Sequence, residues 1–230
     1  MVRRLFFRRL SLLVAVGMLA SSLSGCVLAT VRTINEDEEA KLGFVGADYV
    51  DEIWDSQLMP TYNEQAQDLP TLLPLIAQDQ GAAIEQFGSR SGTGAYSFMV
   101  KGEGKILTFD TSSRAGLAAI DLNPPDGTAD VSITIGPLIK ISQRAAVRDA
   151  VGFIVYNDFS NQEDFAGVAN AMGDRILAML VDKFGAADAD SIQDIDPASM
   201  EGKTVKFTGA FTLDDPANII IVPVALEVTD

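Results

Sequence analysis

The chain has 230 residues with 17 basic and 32 acidic side chains, a formal charge of −15, no histidine and one cysteine. Without histidine, serine–histidine and cysteine–histidine nucleophiles and histidine-ligated zinc sites are excluded. The acidic excess disfavours nucleic-acid binding, which relies on basic surfaces, and a single cysteine cannot form a disulfide within the chain.

The N-terminus has the three parts of an export signal. Four arginines within residues 1–9 form a positive start, and residues 12–23 (LLVAVGMLASSL) form an apolar run too short to span a bilayer comfortably. Cys26 follows the small residues Ser24 and Gly25. This arrangement resembles the lipobox of bacterial lipoprotein signals, in which the cysteine is acylated by fatty chains such as palmitate and cleavage occurs just before it. An ordinary secretory signal or an anchor helix is the alternative.

Removal of residues 1–25 makes the chain more acidic. Four of the 17 basic residues and none of the acidic ones lie in that segment, so the mature chain carries 13 basic and 32 acidic side chains, a formal charge of −19. Such a surface repels nucleic acid and anionic lipid headgroups. The lipid-anchored protein is expected to face the periplasm. Because Val27 rather than aspartate follows the cysteine, the outer membrane is slightly favoured over the inner.

Apolar spacing after the tether predicts three helices. The first is expected to end at Pro60, Asp68 can cap the second, and the third covers about residues 79–87 and stops at Gly88. The buried face of the first helix is predicted to consist of Tyr49, Val50, Ile53, Trp54 and Leu58.

After residue 88 the spacing of apolar residues changes from helical to the alternating pattern of β-strands. Residues 96–101 form a predicted strand, and Gly102-Glu103-Gly104 predicts a turn into a second strand over residues 105–109. Further strands are predicted over residues 116–122, 131–135, 203–211 and 218–228.

A long helix is predicted between the two groups of strands. Ser160 and Glu163 have the spacing of a capping box, and Gly185 is expected to end the helix, with residues 186–199 forming a surface loop. The apolar stripe of this long helix is predicted to consist of Phe165, Val168, Ala169, Met172, Ile176, Leu180 and Phe184.

The predicted fold is α+β, a small antiparallel OB-like β-barrel, discontinuous in sequence, with a helical subdomain. Glycines at positions 102, 104 and 209 suit the corners of a small, strongly curved barrel. One open sheet with helices on a single face is the alternative. The predicted division is a signal peptide (1–25), a tether (26–42), a helical subdomain (43–92 with 142–199) and a barrel subdomain (93–141 with 200–230).

Motifs spread over nearly the whole mature chain carry a family resemblance. They are Tyr49–Trp54 with Pro60, Val100–Gly104, Ser113-Arg114, Ile135–Ile139, Arg148–Ala150, Asn157–Phe159 with Asn161-Gln162, and Thr208–Phe211. Together they resemble a bacterial family of predicted periplasmic lipoproteins known as domain of unknown function 2291. The resemblance implies a helical part joined to a small β-barrel. Because genes of this family often lie beside sugar uptake systems of the ABC type, it also implies an accessory role in sugar transport. The chain departs from the family pattern at Ile141–Arg144, where a Gly-Thr type turn is expected.

One polar cluster is the candidate ligand-binding site. Arginine, carboxylate and amide side chains hydrogen-bond sugar hydroxyls in periplasmic proteins, and Tyr156 or Phe159 could lie against a sugar ring. An internal ion pair with helix caps is the structural alternative. The candidate residues are Arg114, Arg148, Asp149, Asn157, Asp158, Asn161 and Gln162.

No pattern in the sequence predicts a catalytic residue, a metal site or a cofactor. Glycosidases need two carboxyl groups at a defined distance, which the sequence spacing of pairs such as Asp121 with Asp126 does not show. Residues 188–194 lack the glycine and glutamate of a calcium loop. The sequence therefore predicts a non-enzymatic envelope lipoprotein that binds a sugar-like ligand or an ABC transporter component. The alternative is a structural or assembly lipoprotein that docks another envelope protein without a small-molecule ligand.

Overall fold

A computed structural model describes residues 44–230 of the protein. The predicted signal peptide and tether, together with Cys26, lie outside this range. Among the helices within it, none combines the length and the apolar character that crossing a bilayer requires.

The first helical segment continues past the point where the sequence predicts its end. Helix α1 (Gly46–Ile53) passes through a π-helical turn (Trp54–Leu58) into α2 (Met59–Gln65). The prediction that Pro60 ends the helix is therefore wrong. The wider turn shifts the hydrogen-bond register just before Pro60, so the proline stands in the first turn of a new α-helical run, where its missing N–H loses little.

The predicted buried face of this segment is largely confirmed. Tyr49 is half-buried, and the other four members are buried in the core. They are Val50, Ile53, Trp54 and Leu58.

A two-residue strand β1 (Gln67–Asp68) leads into helices α3 (Leu69–Gln78) and α4 (Gln80–Phe87). Both helices begin where the sequence predicts. Asp68 precedes α3 without a side-chain capping bond, whereas the carboxylate of Asp79 accepts the Ala82 N–H at 2.9 Å at the start of α4.

Strand β2 (Ser97–Asp110) is one long strand, and the turn predicted at Gly102-Glu103-Gly104 is absent from it. Its first part pairs with β5 (Thr204–Thr212) and its second part with β3 (Leu117–Leu122). Instead of forming a turn, Gly104 allows β2 and β3 to approach closely, because a Cβ at this position would collide with the backbone of Asp121. The prediction of a curved barrel corner at this glycine stays a prediction.

The strands close into a barrel in the order β2-β3-β4-β6-β5, with β5 returning to β2. Strands β4 (Val131–Thr134) and β6 (Ile220–Thr229) complete it. Neighbours are antiparallel except β4 and β6, which run parallel, and the short β1 runs parallel to β2 outside the closed ring. The predicted small barrel is confirmed, with this one parallel pair inside it.

Two helices connect β4 to β5. Helix α5 (Ile141–Ala150) packs on the barrel and on α6 (Gln162–Phe184), and a 3₁₀ turn lies between them. The predicted Ser160–Glu163 capping box is wrong by one residue, since the side chain of Asn161 accepts the Asp164 N–H.

The apolar stripe of α6 is confirmed, and the helix ends at Gly185, whose φ is 66°. Phe184 at its C-terminal end packs edge-on against Phe109 of β2 at 5.2 Å, which places α6 beside the barrel interior. Side chains of helices and strands thus share one continuous core, to which Met172 and Phe207 both belong. The boundaries of the helical and barrel subdomains stay a prediction.

Candidate functional site

Arg148, the centre of the predicted polar cluster, is buried between α5 and α6, with 7% of the residue exposed. Its Nε donates to Asp149 Oδ1 at 2.8 Å and its Nη1 to the Phe165 carbonyl oxygen at 2.9 Å. The guanidinium carbon lies 3.4 Å from the centre of the Phe165 ring. Arg148 therefore joins the end of α5 to the first turns of α6, which is the geometry of the structural alternative.

Asn157, Asp158, Asn161 and Gln162 lie between the two helices or at the start of α6. Asn157 and Asp158 are exposed in the 3₁₀ turn Tyr156–Asp158, and Gln162 is the exposed first residue of α6. Asn161 is held by α6 itself, because its Nδ2 donates to Asp164 Oδ2 at 3.0 Å. A ligand-binding role for these residues stays a prediction.

Arg114 lies apart from the others, in the connection from β2 to β3. Its Nη2 is 3.0 Å from Asp190 Oδ1, and both side chains are largely exposed. Exposed pairs of this kind contribute little to stability. Of the seven predicted residues, the structure thus brings Arg148 and Asp149 into direct contact and gives Arg114 a separate partner.

A cleft at one end of the barrel brings polar side chains together around a common volume. We call it the barrel-end cleft; its volume is about 180 Å³. The start of α5, the last residue of β5, the β5–β6 loop and the first residue of β6 form its walls. Its lining residues are Lys140, Ser142, Gln143, Thr212, Asp214, Asp215, Asn218 and Ile220.

Two of these side chains also accept hydrogen bonds from the backbone of the cleft walls. Gln143 Oε1 accepts the Lys140 N–H at 3.0 Å at the start of α5, and Asp215 Oδ1 accepts the Ala217 N–H at 2.9 Å. The cleft then presents one ammonium group, two carboxylates, amides and hydroxyls together with apolar area that includes Ile220. Such a set can hydrogen-bond a small, polyhydroxylated molecule.

Sequence reasoning missed the barrel-end cleft because its two halves are far apart in the chain. Ser142 and Gln143 lie in the segment that departs from the family pattern, whereas Asp214 and Asp215 lie between two predicted strands and Asn218 begins the second of them. The barrel topology could have indicated this cleft, because a barrel of this type brings the loop between its last two strands to the open end.

A second, shallower cleft has a volume of about 370 Å³ and lies between α3 and the β3–β4 connection. Pro70, Leu73 and Pro74 form one of its walls. Its aspartates are engaged with the backbone, since Asp130 accepts the Leu122 N–H and Asp126 accepts the Thr128 N–H. This cleft is therefore less suited to a polar ligand.

The carboxylates considered for catalysis also have structural partners. Asp121 is buried, and its two oxygens accept the N–H groups of Asp126 and Gly127 at 3.1 and 2.8 Å. It therefore holds the β3–β4 turn. Within residues 44–230, no cluster of three or more acidic, histidine or cysteine side chains could hold a metal ion.

Comparisons with known proteins agree with the fold and the sequence resemblance. A family model described as "Predicted periplasmic lipoprotein (DUF2291)" matches residues 15–227. The chain is also similar to a crystal structure of an OB-fold protein from Thermotoga maritima, with 18% identity and a TM-score of 0.58 over 81% of this chain and 99% of that one. This likeness confirms the predicted OB-like fold. No curated protein matches the chain.

Proposed function

The chain belongs to the family of predicted periplasmic lipoproteins of unknown function, and from this premise we propose that it is a lipid-anchored, non-enzymatic binding protein of the cell envelope. Its ligand would be a small, polar, sugar-like molecule held in the barrel-end cleft. Cys26 would carry the acyl chains after removal of residues 1–25. Two or three chains anchor a protein durably, because each buried methylene contributes about 0.8 kcal/mol.

The barrel-end cleft is the observation that carries the ligand-binding proposal. Asp214, Asp215 and Asn218 belong to the loop that joins the last two barrel strands, and Lys140, Ser142 and Gln143 line the cleft from the start of α5. In OB-folds the loop between the fourth and fifth barrel strands contributes to oligosaccharide and oligonucleotide sites. The formal charge of −15 disfavours an oligonucleotide, which leaves a sugar-like ligand as the better match.

A non-enzymatic role agrees with the side chains available. The 230 residues contain no histidine, so general acid–base chemistry would depend on carboxylates, lysines or tyrosines. The buried carboxylate of Asp121 is occupied by two backbone N–H groups. We further propose that the protein serves a sugar uptake system of the ABC type as an accessory component, either by presenting the ligand or by contacting a transporter component.

Thermal unfolding of the mature protein against a panel of mono- and disaccharides tests the ligand. A ligand that binds the folded state raises the melting temperature as its concentration rises. We expect Asn218→Ala, in the barrel-end cleft, to abolish that rise, and Asn157→Ala, in the predicted cluster, to preserve it. Loss of the rise in Asn157→Ala alone would assign the ligand to the cluster around Arg148 instead.

The anchor is tested separately by mass spectrometry of the mature N-terminal peptide. We expect a diacylglycerol and an N-acyl chain on Cys26 and no residue before it. A Cys26→Ser variant is expected to leave the membrane fraction while the domain keeps its melting temperature. An unmodified thiol in the wild-type protein contradicts the anchor.

The alternative function is docking of another envelope protein without a small-molecule ligand. It predicts no melting-temperature change across the sugar panel. The observation that favours it is a group of exposed apolar side chains, including Val155 and Tyr156, on the helical part of the protein.

A further inference from the structure

A chain of aromatic rings extends over the helical part of the protein, where the described chain begins. Phe44 lies 5.5 Å from Phe159, Phe159 lies 5.4 Å from Phe165, and Phe165 lies 5.5 Å from Tyr156, measured between ring centroids. Tyr49 joins the group, 5.9 Å from Phe44. These five residues with their neighbours Val45 and Val155 are called the aromatic surface below.

The outer part of the aromatic surface is exposed, while its base is buried. Val45, Val155 and Tyr156 have 50%, 42% and 45% of their surface exposed, against 8% for Phe165. The buried base rests on the Arg148 guanidinium, which holds Phe165 in place. These exposed apolar side chains on a fixed base are available for contact with a surface that is less polar than water.

The position of this surface indicates what it contacts. Residues 27–43, a stretch of 17 residues, separate the proposed acylated cysteine from Phe44. Even fully extended, such a stretch spans at most about 60 Å. With that anchor the bilayer stays within about 60 Å of Phe44, and a surface beside this point meets the membrane at high effective concentration.

The chemistry of the surface suits the headgroup region of a bilayer. Tyr49 and Tyr156 combine an apolar ring with a hydroxyl group, the combination that is enriched at membrane–water interfaces. Val45, Phe44 and Val155 supply aliphatic and aromatic area for shallow burial.

Charge limits the kind of bilayer. The pKa of the Tyr49 phenol is raised first by its partial burial, then by the charge of Asp158 and last by that of Glu52. Both carboxylates therefore lie near the aromatic surface. Asp48 on α1 and Glu163 at the start of α6 add further negative charge on the packed elements. Anionic headgroups would be repelled, so a zwitterionic surface is the expected partner.

We propose that the aromatic surface rests in the headgroup region of the zwitterionic bilayer to which the protein is anchored, which fixes the orientation of the barrel relative to the membrane. This inference rests on the proposed lipid anchor at Cys26. Contact by these few side chains would be weak by itself, and the anchor makes it persistent because the second contact becomes intramolecular.

The test uses the mature lipoprotein reconstituted in phosphatidylethanolamine–phosphatidylcholine vesicles. Because Cys26 is acylated, Val155→Cys provides the only thiol for a fluorescent label, and Thr128→Cys, exposed on the β3–β4 connection, provides the matched control. We expect quenching of the Val155 label by aqueous iodide to be about twofold or more weaker than for the control, since headgroups shield it. Quenching by a bromine-labelled lipid should affect the Val155 label alone.

A second substitution tests whether the exposed ring carries the contact. Added to the labelled Val155→Cys protein, Tyr156→Ser should restore iodide quenching to the control level. Ile141→Ser removes a side chain that is 77% exposed outside the aromatic surface, and it should change nothing. Replacing the lipids with phosphatidylglycerol should abolish quenching of the Val155 label by the bromine-labelled lipid, because the carboxylates repel an anionic surface.

Three outcomes would overturn the inference, and they are distinguishable. If the protein floats with the vesicles while both labels are quenched equally by iodide, the orientation is wrong and the anchor stands. If the Val155 label is shielded from iodide and also from the lipid quencher, a protein surface covers it, as in the docking alternative. A protein that does not float at all lacks the anchor, and both proposals fail.

Discussion

The backbone of Gly167 in α6 lies directly against Gly46 in α1. A Cβ built at Gly46 would come within 2.6 Å of the Gly167 carbonyl oxygen and within 2.7 Å of its carbonyl carbon. The two helices therefore cross with no room for a side chain on the α1 side. The relationship is one-sided, because a Cβ at Gly167 would have nothing within 4 Å.

This asymmetry predicts opposite effects for two alanine substitutions. Gly46→Ala should lower the free energy of unfolding by about 1–3 kcal/mol, since α1 has to move away from α6. Gly167→Ala, in the interior of α6, should be neutral or raise it by up to about 1 kcal/mol through helix propensity. Urea unfolding of both variants measures this. Equal losses in the two proteins would contradict the close crossing.

Arg148 provides the second prediction. Arg148→Ala should lower the free energy of unfolding by about 2–4 kcal/mol, because it removes two charge-assisted hydrogen bonds and leaves the Asp149 carboxylate poorly paired. Arg90→Ala is the control, since the exposed Arg90 lies 4.4 Å over the Tyr96 ring and should contribute less than about 1 kcal/mol. Equal stability of the two variants, with sugar binding lost only in Arg148→Ala, would make Arg148 a ligand-binding group.

The sequence predicted elements well where a period repeats. The stripe of α6 continues for several turns, and the alternation along β5 and the apolar run of β6 mark strands, so the local pattern was sufficient for these elements. It failed at Pro60 and at Gly102-Glu103-Gly104. At both places a residue that usually breaks an element is accommodated by a special local geometry, a π-helical turn in one case and close strand approach in the other.

The candidate site was predictable in residue type but not in arrangement. Arg148 and Asp149 are adjacent in sequence, so their ion pair could be anticipated. The Phe165 carbonyl lies 17 residues further on, and only the packing of α5 on α6 brings it to the guanidinium. The barrel-end cleft joins segments more than 60 residues apart, and no local pattern indicates such a meeting.

Two threonines, the buried Thr134 and the half-buried Thr212, provide the third prediction. Within residues 44–230, the Thr134 hydroxyl is buried and has no hydrogen-bond partner, whereas the Thr212 hydroxyl lies 3.1 Å from the Ser97 hydroxyl. Thr134→Val should therefore raise the free energy of unfolding by about 1 kcal/mol, because an unsatisfied polar group is removed at nearly constant volume. Thr212→Val should lower it by about 1 kcal/mol, since buried Ser97 loses its partner. Chemical denaturation without ligand measures the free energy of unfolding of both variants. A lower value than wild type in both would contradict the predicted opposite effects.

The fourth prediction concerns Tyr62 and alkaline pH. Its buried hydroxyl donates to the Val147 carbonyl oxygen at 3.0 Å, and burial, with the Asp149 charge second, raises the pKa of Tyr62 above its ordinary value of 10.0. The folded state therefore holds this proton more tightly than the unfolded state. Stability linked to Tyr62 is fully present below about pH 10 and is lost as the pH rises further.

Tyr62→Phe should separate the hydrogen bond from the titration. At neutral pH the variant should lose about 1 kcal/mol, the net contribution of one buried hydrogen bond. Above about pH 10 its stability should fall less steeply than that of the wild type, so the difference between the two proteins shrinks or reverses. Tyr49→Phe, at a half-buried phenol whose pKa is raised in the same direction, should show a smaller change. Parallel pH profiles for wild type and Tyr62→Phe would show that the Tyr62 phenol does not titrate differently in the folded and unfolded states.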